Sequence, residues 1–198
     1  TARRLMYWQV YLRKTVLLAE YTIMNVLKRA KELSLQGVDL FATPALSFFL
    51  KNKVKFGDFE SNPEVLHQFS MLDDYDISAS LKVWINNDDF ILSYLSQSLV
   101  NRKLFRIEIQ NEPFKSDMVD EVRNKVMNKF GLDKSEVDYF VINEKTTNYT
   151  YKPGSGNISI LQKDGKIVDV IKATDELNIS LLNKPTTKYF LSYPKLMS

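Results

Sequence analysis

Two groups of cations in this sequence have the residue types and spacing to hold a phosphate. Arg3, Tyr7, Tyr11 and Lys14 are spaced 4, 4 and 3 residues apart. At about 100° per residue an α-helix would bring them within roughly 80° of arc, on one face. Two cations there could neutralise a phosphate, and two phenols could stack on or hydrogen-bond a sugar. The same stripe would equally serve packing, with the tyrosines at a helix interface and Arg and Lys reaching out to water. The second group is Arg102-Lys103-Leu104-Phe105-Arg106. Three cations in five residues, where a helical pattern gives way to an alternating one, suit a polyphosphate. The competing reading is a solvated junction.

Other chemistry-bearing groups read more plainly. Leu72-Asp73-Asp74-Tyr75-Asp76 could take Mg²⁺ through carboxylates and water, but the run sits where a helix begins, and we read it as a cap that offsets the helix dipole. Lys152-Pro153-Gly154-Ser155-Gly156 lacks the spacing and the Lys-Ser/Thr end of a P-loop and is a turn. The sequence has one histidine and no cysteine. His67, among Val65, Leu66 and Phe69, reads as a packed or surface side chain. Metal-dependent hydrolases usually need several imidazoles, and acid–base catalysis a supported one. We therefore expect no catalytic residue, no metal ligand and no cofactor in this chain, and no enzyme activity from it alone.

The elements that must position these groups fall into two kinds. From Leu5 to about Leu35, apolar residues recur at helical spacing without Gly or Pro, which predicts one long helix closed by Gly37. Thr43-Pro44 and Asn62-Pro63 open two further helices, Asp73 or Asp74 a fourth, and Phe90 to Leu99 makes a fifth. After residue 100 the pattern changes. Leu104–Ile109 and Val137–Asn143 read as strands, with a helix between them from Ser116 to Gly131. Ile158–Leu161 and Ile167–Ile171 form a hairpin about Lys163–Lys166, Thr174 caps a short helix to Leu182, and Lys188–Tyr193 is a last strand. The expected fold is α+β, with a helical segment over 1–100 (about five helices) and a small antiparallel α+β domain over 101–198 of ferredoxin-like plan.

Composition sets the bounds. The 198 residues are 44% hydrophobic and 26% charged, enough for a real core and far from disorder. The net charge of +3 is carried by the second half. That is too mild for an obligate nucleic-acid binder and leaves room for a local anion site. No apolar run reaches membrane-spanning length, so no membrane partner is expected. The lack of cysteine suits a reducing cytoplasm. Thr1-Ala2-Arg3-Arg4 runs straight into the helical pattern, as expected of the distal part of a longer chain.

Arg3 to Val16, reading Arg-Arg-Leu-Met-Tyr-Trp-Gln-Val-Tyr-Leu-Arg-Lys-Thr-Val, resembles the helix that follows the metal site in HD-superfamily phosphohydrolases of the dNTP triphosphohydrolase-like branch. Leu72-Asp73-Asp74 with its helix to Trp84, then Asn101 to Arg106, is similar to that family's later segment. The likeness covers about the first 110 residues. The family's His…His-Asp…Asp metal ligands have no match here and would lie upstream. The resemblance implies a parent protein that is a metal-dependent phosphohydrolase with its divalent metal bound outside this chain. In that parent the metal would activate the attacking water. It further implies that Arg3, Tyr7 and Tyr11 contact the substrate nucleotide, Tyr11 at its sugar. Lys14, Arg102 and Arg106 would line a regulatory nucleotide or phosphate site between subunits, which implies a homo-oligomer. A competing expectation is a non-catalytic ligand- or protein-binding module built on the ferredoxin-like half.

Overall fold

The computed structural model describes residues 13–148, 159–169 and 186–195. Helix α1 spans Lys14–Leu35 and buries Leu18, Thr22, Val26, Ala30 and Leu33, the stripe at intervals of three and four that the sequence shows. It closes as expected. Gly37, at φ 90°, turns left-handed, and the Gly37 and Val38 N–H groups donate to the Ser34 and Leu33 carbonyls. Its start differs from expectation. Arg13 is extended, at φ −61° and ψ 141°, so no single helix runs from Leu5 through to Leu35.

Five helices follow before residue 101: α2 Pro44–Lys51, α3 Asp58–Ser61, α4 Pro63–Met71, α5 Asp74–Trp84 and α6 Phe90–Val100. The described residues thus hold six helices where about five were expected. The extra one is the single turn α3, too short to show a period. Caps set the starts. The Asn62 side chain accepts from the Glu64 N–H at 3.0 Å. Asp73 and Asp76 close a reciprocal capping box, so the three-carboxylate run is a helix start. Asp89 accepts from the Leu92 N–H at 2.8 Å.

Strand β1 is Arg106–Gln110 and helix α7 is Ser116–Phe130, closed at Gly131 with φ 67°. The expected strand at Val137 does not form. Asp133 accepts from the Ser135 and Glu136 N–H groups while Glu136 accepts from the Asp133 N–H. This local box winds Glu136–Tyr139 into a 3-10 helix, and strand β2 begins only at Ile142 and runs to Asn148. Ser159–Leu161 (β3) and Ile167–Asp169 (β4) pair as the expected hairpin. The last described strand, β5, is Thr186–Tyr193.

The main sheet has the order β1-β5-β2, with β5 antiparallel to both neighbours. β1 and β2 therefore run parallel to each other on either side of β5, joined through α7, a split βαβ unit. Among the described residues this sheet has three strands and the hairpin stands apart, so the four-stranded sheet of a ferredoxin-like plan is not found there. The helix expected over 174–182 lies outside the described residues. What holds is the coarser class, α+β, with seven α-helices and a small antiparallel sheet among the described residues.

One hydrophobic core crosses residue 100. Phe140 stacks on Phe90 at 6.0 Å, on Phe105 at 6.2 Å and on Phe130 at 5.7 Å. Trp84, Leu95, Val126 and Leu191 belong to the same buried cluster. Rings packed at these offsets and tilts add specificity to the area they bury. No helix among the described residues is long and apolar enough to cross a membrane.

Candidate functional site

The junction between α6 and β1 carries the predicted basic run. Helix α6 ends in a left-handed turn in which the Arg102 and Lys103 N–H groups donate to the Leu99 and Ser98 carbonyls at 3.1 and 2.9 Å. The turning residue is Arg102 itself, at φ 55°, where the ends of α1 and α7 use glycine. It is the one non-glycine with positive φ among the described residues. A side chain there is strained, and the residue that bears the strain is a cation at the negative end of the helix dipole. Beside it lies a shallow pocket of about 150 Å³ lined by Tyr94, Gln97, Ser98, Asn101 and Lys103.

Arg106 opens β1. Its Nε lies 3.1 Å from Glu108 Oε1, and the Tyr193 hydroxyl donates to the same oxygen at 2.6 Å. The Arg106 guanidinium lies 6.0 Å from the centre of the Tyr193 ring. Burial, then the Glu108 carboxylate, pushes the Tyr193 phenol up. Lys14 is exposed at the start of α1 and forms no ion pair among the described residues. Arg3, Tyr7 and Tyr11 lie outside the described residues. The extended backbone at Arg13 means that Lys14 is not held to them by one continuous helical frame.

A second polar group escaped the sequence reading. Arg29 on α1 grips Asp89 through both carboxylate oxygens, Nε to Oδ1 at 3.1 Å and Nη2 to Oδ2 at 2.6 Å. Both side chains are 18% exposed. Asp89 is also the cap of α6, so one carboxylate ties two helices. The Tyr139 hydroxyl donates to Glu32, Asn25 donates to the Tyr139 carbonyl at 3.0 Å, and Arg29 Nη1 stands 3.6 Å from Glu32. Burial would raise Asp89, but hydrogen bonds from Arg29 and the Leu92 N–H outweigh it and hold the carboxyl below its ordinary value. Burial, helped by Glu32, drives the Tyr139 phenol well above its ordinary value, so it stays a proton donor. The Asp89 cap could be read from the sequence. Its partner 60 residues away could not.

An open cleft of about 430 Å³ lies beside this group, lined by Tyr21 and Asn25 of α1, Arg123 of α7, Asp138, and Ile142 and Glu144 of β2. Arg123 is held by Asp138 at 2.6 Å and by the Lys134 carbonyl at 3.3 Å. Among the described residues no cluster of His, Cys, Asp and Glu is placed to hold a metal ion, and His67 is exposed on α4.

No family model matches the chain. It is 26% identical over 201 residues to YwfO, an uncharacterized protein of Bacillus subtilis (strain 168), across 98% of this chain and 43% of that protein. It is also similar to the crystal structure of a phosphohydrolase from Bacteroides thetaiotaomicron VPI-5482. The TM-score is 0.85 and the identity 45%, over 98% of this chain and 48% of that one. The chain thus spans about half the length of the relatives it matches.

Proposed function

We propose that this chain is the C-terminal part of an HD-type nucleotide phosphohydrolase of the dNTP triphosphohydrolase-like branch, cytoplasmic and homo-oligomeric. It completes the nucleotide pocket and serves assembly or regulation, and it is not catalytic alone. The observation that carries the reading is the likeness, at 45% identity across nearly the whole chain, to the phosphohydrolase of Bacteroides thetaiotaomicron. The divalent metal and the water it activates belong to the part of the protein outside this chain. Arg3, Tyr7 and Tyr11 contact the substrate nucleotide.

Lys14, Arg102 and Arg106 bind the phosphates of a regulatory nucleotide. Arg102 presents its side chain from the left-handed turn that ends α6. Arg106 starts paired with Glu108. A phosphate must compete with that carboxylate, which sets a threshold on the charge the site accepts.

The test uses the protein expressed from its whole reading frame, with Mg²⁺ or Mn²⁺ and a panel of deoxynucleoside triphosphates. Hydrolysis, together with a nucleotide-dependent rise in melting temperature lost in Arg102→Ala/Arg106→Ala, is the expected result. Hydrolysis unchanged by Tyr11→Phe removes that residue's role. The cleft between α1, α7 and β2 favours a second reading, a ligand-binding module. It is supported if no nucleotide shifts the melt.

A further inference from the structure

The cleft between α1, α7 and β2 holds groups that the phosphate chemistry proposed above does not use. At about 430 Å³ it is in the size range of small-molecule sites. Its hydrogen-bonding groups divide unevenly. The strongest donors are already committed. Arg123 gives Nη1 to Asp138 at 2.6 Å and Nη2 to the Lys134 carbonyl at 3.3 Å, and Asn25 gives Nδ2 to the Tyr139 carbonyl at 3.0 Å. The acceptors are open. Among the described residues Glu144 is exposed and forms no ion pair or side-chain hydrogen bond, the Asn25 amide oxygen accepts none, and Asp138 uses one oxygen of two. Arg123 set against Asp138 and Glu144 leaves the lining with a net negative charge. The Tyr21 phenol senses it: burial first, then the Glu144 and Glu20 carboxylates, push it above its ordinary value.

We propose that this cleft binds a small organic amine in its protonated form, with the ammonium at Glu144 and the hydrocarbon body along Tyr21, Met24 and Val119. Charge chooses the ligand. An ammonium carries three donors and no acceptor, the complement of this lining. A phosphate or carboxylate would meet two carboxylates and a guanidinium that Asp138 already neutralises. A neutral ligand would take water from Glu144 without giving it a counter-charge. Met24 on α1 and Val119 on α7 supply the apolar surface that an aliphatic body needs. The inference goes beyond the nucleotide reading, shares no residue with it, and gives the cleft a ligand class.

Calorimetric titration of the protein expressed from its whole reading frame tests it, at neutral pH and low salt, with n-hexylamine, n-hexanol and hexanoate as probes. Hexylamine should bind and the other two should not. Glu144→Gln keeps the shape and removes the charge, and should weaken hexylamine binding by roughly tenfold. Glu112→Gln, at an exposed carboxylate outside the cleft, should leave it unchanged. The proposal is overturned if hexylamine gives no binding heat at roughly 20 mM. It is overturned equally if hexanol or hexanoate binds as well as the amine, or if Glu144→Gln keeps the wild-type affinity. Binding of N-acetyl-lysine methylamide roughly tenfold tighter than hexylamine would also overturn it, by assigning the cleft to a lysine side chain of a protein partner. Arg102→Ala/Arg106→Ala should remove the nucleotide-dependent melt and leave the amine titration as it is, so the two readings fail separately.

Discussion

The two charged groups of this protein are built in opposite ways. Arg102, Lys103 and Arg106 are neighbours in sequence and exposed at an element junction, and Arg106 has one carboxylate for company. Arg29, Glu32, Asp89 and Tyr139 come from three separate elements and are partly buried around a bidentate ion pair. The first is left open to solution. The second is satisfied from within and fixes α1, α6 and the 3-10 turn against each other. Clustering along the chain therefore marks the group with capacity to spare, and clustering in space marks the group that is already spent.

Substitutions separate the two. Arg29→Ala leaves a half-buried carboxylate without its partner and should cost about 2–3 kcal/mol in chemical denaturation, with a large coupling in a double-mutant cycle against Asp89→Ala. Arg102→Ala/Arg106→Ala should stay within about 0.5 kcal/mol, as surface changes usually do. An equal loss in both would break the comparison. Tyr139→Phe removes the hydroxyl donated to Glu32 but keeps the ring, and about 1 kcal/mol is expected in the same assay.

Acid provides a third probe. The Asp89 carboxyl lies lower in the folded protein than in the unfolded chain. Its contribution is therefore complete above the unfolded value near 4 and disappears as pH falls through the folded one. Melts between pH 5 and pH 2 should fall less steeply in Asp89→Asn than in the wild type. A gain in stability is expected at Arg102. Replacing it with Gly relieves the left-handed backbone and should stabilise the fold by about 0.5–1 kcal/mol in thermal melts while weakening phosphate binding. Destabilisation by that substitution would show that the side chain has a structural partner.

The caps carried most of what the sequence made legible. Gly37, Asn62-Pro63, Asp73 with Asp76, and Gly131 mark element ends by local chemistry, and the structure uses each of them. The errors arose where two local signals competed. Val137 to Val141 is apolar enough for a strand, but the Asp133–Glu136 box wound the chain first. The stripe that linked Arg3 to Lys14 assumed a helix through Arg13, and the extended backbone there ends it. Arg29 read as one cation on an amphipathic helix. Its role depends on Asp89 and Tyr139, which no spacing rule connects to it.

The order of strands in the sheet has a consequence for how the chain assembles in time. β5, the last described strand, is the middle one, so among the described strands β1 and β2 have no partner in this sheet until residues 186–193 arrive. The helices before residue 101 can pack as they are made, but the sheet must wait through some 40 residues after β2, with two open edges exposed. Open edges recruit strands from other molecules. The aggregation hazard of this protein is therefore concentrated in that interval of synthesis, and a chain stopped short of Thr186 should be the species that precipitates.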